Sequence, residues 1–244
     1  MKIIKTPVIR LEKISFAYPG STVKILDGLD LDLYARDRIG MMAPNGSGKT
    51  TLFHTIMGLC RPDSGRVEIF GRPVSTEAEF QKVRSKIGLM FQDADDQLFC
   101  PTVLDDVAFG PLNLGLTPEQ ARQRARDILA TLGIADLEPA ITHRLSGGQK
   151  RLVALASVLA MEPRVLLLDE PTAGLDDKAK ERLIEILNTL DVALLVIAHD
   201  FNFLISITDR IFSMENGRIL LDDEVSIHRH EHMHKLGNRP HKHV

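Results

Sequence analysis

Ala43-Pro44-Asn45-Gly46-Ser47-Gly48-Lys49-Thr50-Thr51 stands between a short apolar run, Arg38–Met42, and a stretch with helical spacing, Gly48–Leu59. Strand, glycine-rich turn and helix in that order make a phosphate loop. Backbone N–H groups at the helix start point at phosphate oxygens, helped by the helix dipole. Asn45, Gly46, Ser47, Gly48, Lys49, Thr50 and Thr51 are therefore the expected nucleotide contacts. Lys49 reaches the β- and γ-phosphates, and the Thr50 hydroxyl is placed to ligand Mg²⁺. Ala43 occupies the first glycine position of the GxxxxGK[ST] pattern. If that position needs a positive φ, alanine is strained there; if not, it is tolerated.

A second apolar run, Val165-Leu166-Leu167-Leu168, ends in Asp169-Glu170. A buried strand with carboxylates at its carboxyl end puts acid groups where α/β sheets bind ligands. This Walker B pattern assigns Asp169 to Mg²⁺ and Glu170 to positioning and polarising an attacking water. Two solvated carboxylates at a strand end are the ordinary alternative, and the upstream loop argues against it.

The 244 residues are 44% hydrophobic, enough to bury a large core as one domain or two packed lobes. The net charge of −3 carries no nucleic-acid footprint, although residues 228–244 hold a local +3. Cys60 and Cys100 are too few for a disulfide framework and have no CxxC spacing, so they read as packing residues in a reducing setting. No signal peptide is visible, and no run approaches the ~20 apolar residues that cross a bilayer. The chain is expected to be soluble by itself, with any membrane part supplied by another protein.

Alternation predicts strands over Val8–Ala17 and Leu29–Tyr34, and apolar runs predict strands at Arg66–Phe70 and Lys86–Phe91. Residues 102–160 carry helical patterns. Thr117-Pro118-Glu119-Gln120 is a helix start, and Gly148–Met161 reads as a helix with Leu152, Leu155, Ala156 and Leu159 on one face. A helix over 177–190, a strand at Ala193–Ile197, and strands Arg210–Met214 and Arg218–Leu221 about an Asn216-Gly217 turn complete the pattern. The expected fold is an α/β P-loop nucleotide-binding core, 1–91 and 164–225, with a helical lobe of 92–163 inserted. Residues 1–227 form a single domain and 228–244 a histidine-rich tail without fixed structure.

Between these two motifs lies Leu145-Ser146-Gly147-Gly148-Gln149. With it, the chain resembles the ATP-binding-cassette (ABC) ATPases from about residue 8 to residue 222, with the landmarks in the family's order. The resemblance implies a P-loop NTPase core with an N-terminal antiparallel β region. It places Tyr18 on adenine and makes Gln92 the Q-loop residue that senses Mg²⁺ and the γ-phosphate. Ser146, Gly147, Gly148 and Gln149 become the signature that closes on the nucleotide of a second copy. Asp176 becomes the residue that crosses the dimer interface, and His199 the switch histidine on the γ-phosphate. Glu170, His199, Lys49 and Gln92 are then the catalytic set, with ATP and Mg²⁺ as cofactors and an ATP-sandwich homodimer as the working form. Taken singly, Tyr18, Gln92 and His199 each have a plain structural alternative.

Two further features narrow the resemblance. Gly88–Phe99 followed by Val103–Pro111 is similar to the energy-coupling-factor importers, particularly the ATPases of cobalt and nickel uptake. In those, the segment after the Q-loop forms a groove for helices of a transmembrane coupling protein. The tail holds His228, His230, His232 and His234, spaced to chelate a transition metal in a helical or an extended chain. The resemblance implies ATP hydrolysis that powers import of a divalent transition metal, cobalt or nickel. The partners are a coupling protein and a metal-binding membrane subunit, not nucleic acid, and the chain sits on the cytoplasmic face of the inner or plasma membrane. The alternatives are the same role in vitamin import, a soluble non-transport ABC ATPase, and a nucleotide-binding regulator with weak turnover.

Overall fold

Backbone pairing divides residues 6–220, those described by the computed structural model, between two sheets. The first is antiparallel. In it β1 (Ile9–Ala17) lies between β2 (Lys24–Leu33) and β4 (Ser64–Ile69), and β4 also pairs with the short β5 (Arg72–Pro73). The second is built from β3 (Arg38–Met42), β6 (Ile87–Met90), β7 (Val165–Asp169), β8 (Ala193–Ile197), β9 (Arg210–Glu215) and β10 (Arg218–Leu220). Its order is β10-β9-β3-β8-β7-β6, parallel except for the β9–β10 hairpin.

The central strands are apolar throughout because both of their faces are covered. Successive side chains alternate between two cores. Val165 and Leu167 of β7, with Leu195 and Ile197 of β8, face the core shared with the antiparallel sheet and α1 (Lys49–Ile56). Leu166 and Leu168, with Leu194 and Val196, face the opposite core. That core also contains α6 (Asp177–Thr189) and α7 (Phe201–Ile207).

Between β6 and β7 the chain leaves the sheet and makes α3 (Val103–Asn113), α4 (Pro118–Thr131) and α5 (Gly147–Leu159), which pack on one another. The α4 start is the expected one: Thr117 Oγ1 accepts from Gln120 N, and Gln120 Oε1 accepts from Thr117 N at 3.0 Å. The helix α5 buries more than the predicted stripe. Val153, Ala154 and Val158 join Leu155, Ala156 and Leu159 in the core, whereas Leu152 is only half-buried, because α5 lies between β6 and its neighbouring helices.

Two helices were not legible in the pattern, α2 (Glu77–Arg84) and α7. The first buries only Phe80 and Val83, and the second is too apolar to show a polar face. The strand β2 starts five residues before its predicted start.

The core on the α5 side of the sheet presses closely on Gly88 of β6. A Cβ there would stand 2.3 Å from Val158 Cγ1, 3.0 Å from Leu166 Cδ2 and 3.1 Å from Pro163 Cγ. Gly88→Ala is therefore expected to destabilise by about 1–3 kcal/mol, read as a Tm loss of about 2–4 °C per kcal/mol. Val158→Ala in the same chain should recover much of that loss. Strictly additive melting shifts for the pair would refute the clash.

Candidate nucleotide site

The strand β3 ends at Met42 and the loop 43–48 turns into α1. Gly48 sits at the helix start with φ 101°, and a Cβ on it would lie 2.6 Å from the carbonyl oxygen of Ile25. Glycine is required there twice, by backbone conformation and by the close approach. Ala43 is buried and is not among the residues with positive φ, so its departure from glycine carries no backbone penalty. The helix α1 begins without a side-chain cap and with no acidic residue in its first turn. Its unpaired N–H groups and positive dipole end are left for an anion.

Lys49 is buried at the centre of this loop. Its Nζ lies 3.3 Å from the Ala43 carbonyl oxygen, 3.4 Å from Asn45 Oδ1, 3.1 Å from His199 Nε2 and 3.7 Å from Glu170 Oε1. An ammonium only donates, so His199 Nε2 is the acceptor and the ring proton sits on Nδ1. The 3.3 Å approach of that same Nε2 to Glu170 Oε1 is then a contact between two acceptors. This agrees with Glu170 Oε1 being buried without a hydrogen bond.

The two carboxylates differ in their setting. Asp169 ends β7 fully buried, its Oδ2 accepting from Thr50 Oγ1 at 3.1 Å and its Oδ1 without a partner. Burial pushes its carboxyl up from the ordinary range, against the opposing pulls of Thr50 and Lys49. Glu170 follows in the left-handed region, φ 49°, which costs a non-glycine residue about 1–3 kcal/mol. Its backbone is pinned on both sides. The N–H donates to Ile197 O at 2.9 Å, and the carbonyl accepts from Arg151 Nη1 at 2.6 Å and Ala173 N at 3.2 Å.

Three buried side-chain polar atoms among the described residues have no hydrogen-bond partner: Ser47 Oγ, Asp169 Oδ1 and Glu170 Oε1. All three are oxygens of the phosphate loop or of the end of β7. Hard oxygen donors beside a buried lysine fit a magnesium-bound nucleoside triphosphate. Thr50 and Asp169 would hold the ion.

The other expected residues are placed as follows. Tyr18 is exposed, and its hydroxyl lies 3.1 Å from Thr51 Oγ1, which brings the ring to the first turn of α1. Gln92 shares with Thr50, Phe91 and Arg151 a cleft of about 640 Å³. The pentapeptide does not join these groups. Ser146 caps α5 by accepting from Gln149 N, and Gln149 Oε1 accepts from Ser146 N at 2.9 Å, so the Gln149 side chain serves its own helix. Ser146 and Gly147 are exposed, and no hydrogen bond links 145–149 to the phosphate loop. Asp176 caps α6, its Oδ1 accepting from Ala179 N at 2.8 Å. His228, His230, His232 and His234 lie outside the described residues. Among the described residues no group of three or more His, Cys, Asp or Glu is placed to hold a metal ion.

Sequence reasoning missed Arg151, which binds the Glu170 and Gln92 carbonyls, and Gln97, which bonds to α5. Spacing could not have found Arg151, because its acceptors are backbone carbonyls.

A model of the ABC transporter family matches residues 26–173. The chain belongs to the ABC transporter ATPases. The Rhodobacter capsulatus "cobalt import ATP-binding protein CbiO" is 45% identical over 89% of the chain and 79% of its own length. The Methanocaldococcus jannaschii "energy-coupling factor transporter ATP-binding protein EcfA" is 39% identical over 87% of the chain and 77% of its own. Among solved structures, CbiO1 of Clostridium perfringens, described as part of the CbiONQ transporter complex, superposes with a TM-score of 0.77. It is 36% identical and covers 88% of this chain and 87% of that one. The dimeric cassette MJ0796 in a post-hydrolysis state with ADP and Pi gives a TM-score of 0.80 at 27% identity, covering 86% of this chain and 96% of that one. The family binds ATP, and this chain is an ATP-binding subunit of the energy-coupling-factor type. No helix among the described residues is long and apolar enough to cross a membrane.

Because burial raises the Asp169 pKa in the fold, its charge opposes folding at neutral pH, and that opposition fades as pH falls towards the ordinary carboxylate range. Asp169→Asn keeps an acceptor for Thr50 and removes the charge. Nucleotide-free Asp169→Asn should melt above wild type at neutral pH, with the gap narrowing as pH falls towards the ordinary carboxylate range. A variant that melts lower at neutral pH would contradict this.

Proposed function

We propose that two copies of the chain hydrolyse two ATP molecules between them, and that their closure drives import of cobalt or nickel through membrane partners. The observation that carries the reading is a half-built site. Lys49, Thr50, Asp169, Glu170 and His199 lie together at the phosphate loop, while Ser146 and Gly147 at the start of α5 are exposed and hydrogen-bond to none of them. A helix N-terminus with free N–H groups suits the γ-phosphate of a nucleotide held by a second chain.

Each residue then has a task. Lys49 and the loop N–H groups bind and orient the phosphates, and Tyr18 offers its ring to adenine. Thr50 and Asp169, with Gln92, would hold Mg²⁺, which when bound neutralises charge on the phosphate oxygens. Glu170 takes the proton of the attacking water, and its fixed backbone aims the carboxylate. His199 binds the γ-phosphate once it parts from Lys49. Asp176 reaches the interface from the start of α6. Phosphoryl transfer needs positioning and charge stabilisation above all, and this arrangement supplies both.

Coupling to a membrane protein is supported by the surface beyond Gln92. Phe99 and Phe109, in the segment that follows Gln92 in sequence, are exposed and stack edge to face at 4.7 Å. Phenylalanine is among the residue types enriched at protein contact surfaces. The location follows, at the cytoplasmic face of the inner or plasma membrane. The name of the Rhodobacter capsulatus relative favours cobalt as cargo, and vitamin import is kept as the second reading because the EcfA relative's name states no cargo.

Glu170→Gln with ATP and Mg²⁺ should elute as a dimer on a sizing column, and Lys49→Ala should bind no ATP and remain unshifted. In cells carrying the membrane partners, radioactive Co²⁺ or Ni²⁺ uptake should be lost with Lys49→Ala. Persistent uptake with that variant would refute the coupling, and uptake of neither ion by the wild type would refute the cargo.

A further inference from the structure

Arg151 lies on α5, one turn beyond Gly147 and about 6 Å along the axis. The guanidinium spans two places on its own chain. Nη1 donates to the Glu170 carbonyl at 2.6 Å, and Nη2 donates to the Gln92 carbonyl at 2.9 Å. These residues follow the neighbouring parallel strands β7 and β6, so the planar fork closes the gap between two strand ends.

The helix is also fastened to the segment after Gln92. Lys150 pairs with Asp95. Gln97 Nε2 donates to the Ala154 carbonyl at 2.7 Å and to Ser157 Oγ at 3.0 Å, and Gln97 Oε1 accepts from Phe91 N at 3.2 Å. Residues 91–97 and α5 are therefore tied together, and Arg151 carries a hydrogen bond from this unit to Glu170. Glu170 is where such a bond matters most. Its φ of 49° is held by its surroundings, and a shift of its carbonyl swings the carboxylate.

We propose that Arg151 is a positioning residue for hydrolysis that acts within its own chain. It sets the backbone of Glu170 and Gln92 according to where α5 stands. The inference rests on the split site proposed above. The α5 start serves the partner's nucleotide, and one turn later the same helix steers its own chain's water-activating carboxylate. Engagement of one nucleotide thereby registers at the other site, and a load on the helical insertion reaches the chemistry through two hydrogen bonds.

The test uses the full chain with Arg151→Met, which keeps the stem and removes both donors, and Arg151→Lys, which reaches one carbonyl at a time. For Arg151→Met, kcat should fall about 30- to 100-fold, as a misplacement of about 1 Å can cause. The KM for ATP should stay within about threefold, and the dimer trapped on the Glu170→Gln background should persist. The Hill coefficient for ATP should move towards one, and Arg151→Lys should recover part of kcat. An unchanged kcat overturns the proposal. So does a joint loss of kcat, ATP affinity, trapped dimer and Tm, because that marks a purely structural role. If Arg151→Met fails to fold, Arg151→Lys must show the same split at smaller size, and wild-type behaviour in it overturns the proposal. A wild type that neither turns over ATP nor dimerises with it refutes the split-site reading itself, and is measured first.

Discussion

Lys49 is a buried cation beside Glu170, which follows the end of a strand with no exposed face. Its ammonium makes polar contacts with the Ala43 carbonyl, Asn45 and His199, and it reaches Glu170 at the distance of a weak ion pair. Buried charge is tolerable only when it is compensated. Here the compensation is partial. One Asp169 oxygen and one Glu170 oxygen have no hydrogen bond, and burial raises the Asp169 pKa. The chain therefore holds at this point an arrangement that is better matched to a bound polyanion and its cation than to itself. Whatever fills those oxygens stabilises the folded form by mass action.

The surrounding architecture follows from placing those charges. Parallel β7 and β8 are buried on both faces, so their ends cannot shift, and Asp169 pairs in register with Ile197 two residues before His199. The loop carrying Lys49 lies against β2 so closely that Gly48 admits no Cβ beside the Ile25 carbonyl. The antiparallel sheet thus backs the phosphate loop, and the parallel sheet presents the acids to it.

Legibility in the sequence tracks how much each element is decided by its own residues. Arg38–Met42 and Ala193–Ile197 are read to the residue because central parallel strands are continuous apolar runs. The first half of β2 is hidden by exposed Lys24, by Asp27, and by Gly28, near a break in its register with β1. The helix α2 is mostly solvated, and α7 shows an apolar run where a helical stripe would be needed. At the site, Lys49, Asp169 and Glu170 are legible because their chemistry requires those side chains in a strand-and-loop order. Whether Ala43 is strained depends on a φ value, and sequence does not carry φ. Arg151 depends on two carbonyl groups, which every residue has, so only the fold reveals it.

Among the described residues no cluster of three or more His, Cys, Asp or Glu is placed to hold a metal ion, and the Thr50–Asp169 pair lies beside the phosphate loop. The features beyond the nucleotide site are of another kind. Phe99 and Phe109 form an exposed apolar pair, and a separate cleft is lined by Phe91, Gln92, Thr50 and Arg151. A segment seated in that cleft would touch at once a residue hydrogen-bonded to Asp169 and the arginine hydrogen-bonded to the Glu170 carbonyl. Such a surface is suited to passing force between a bound segment and the carboxylates at the end of β7.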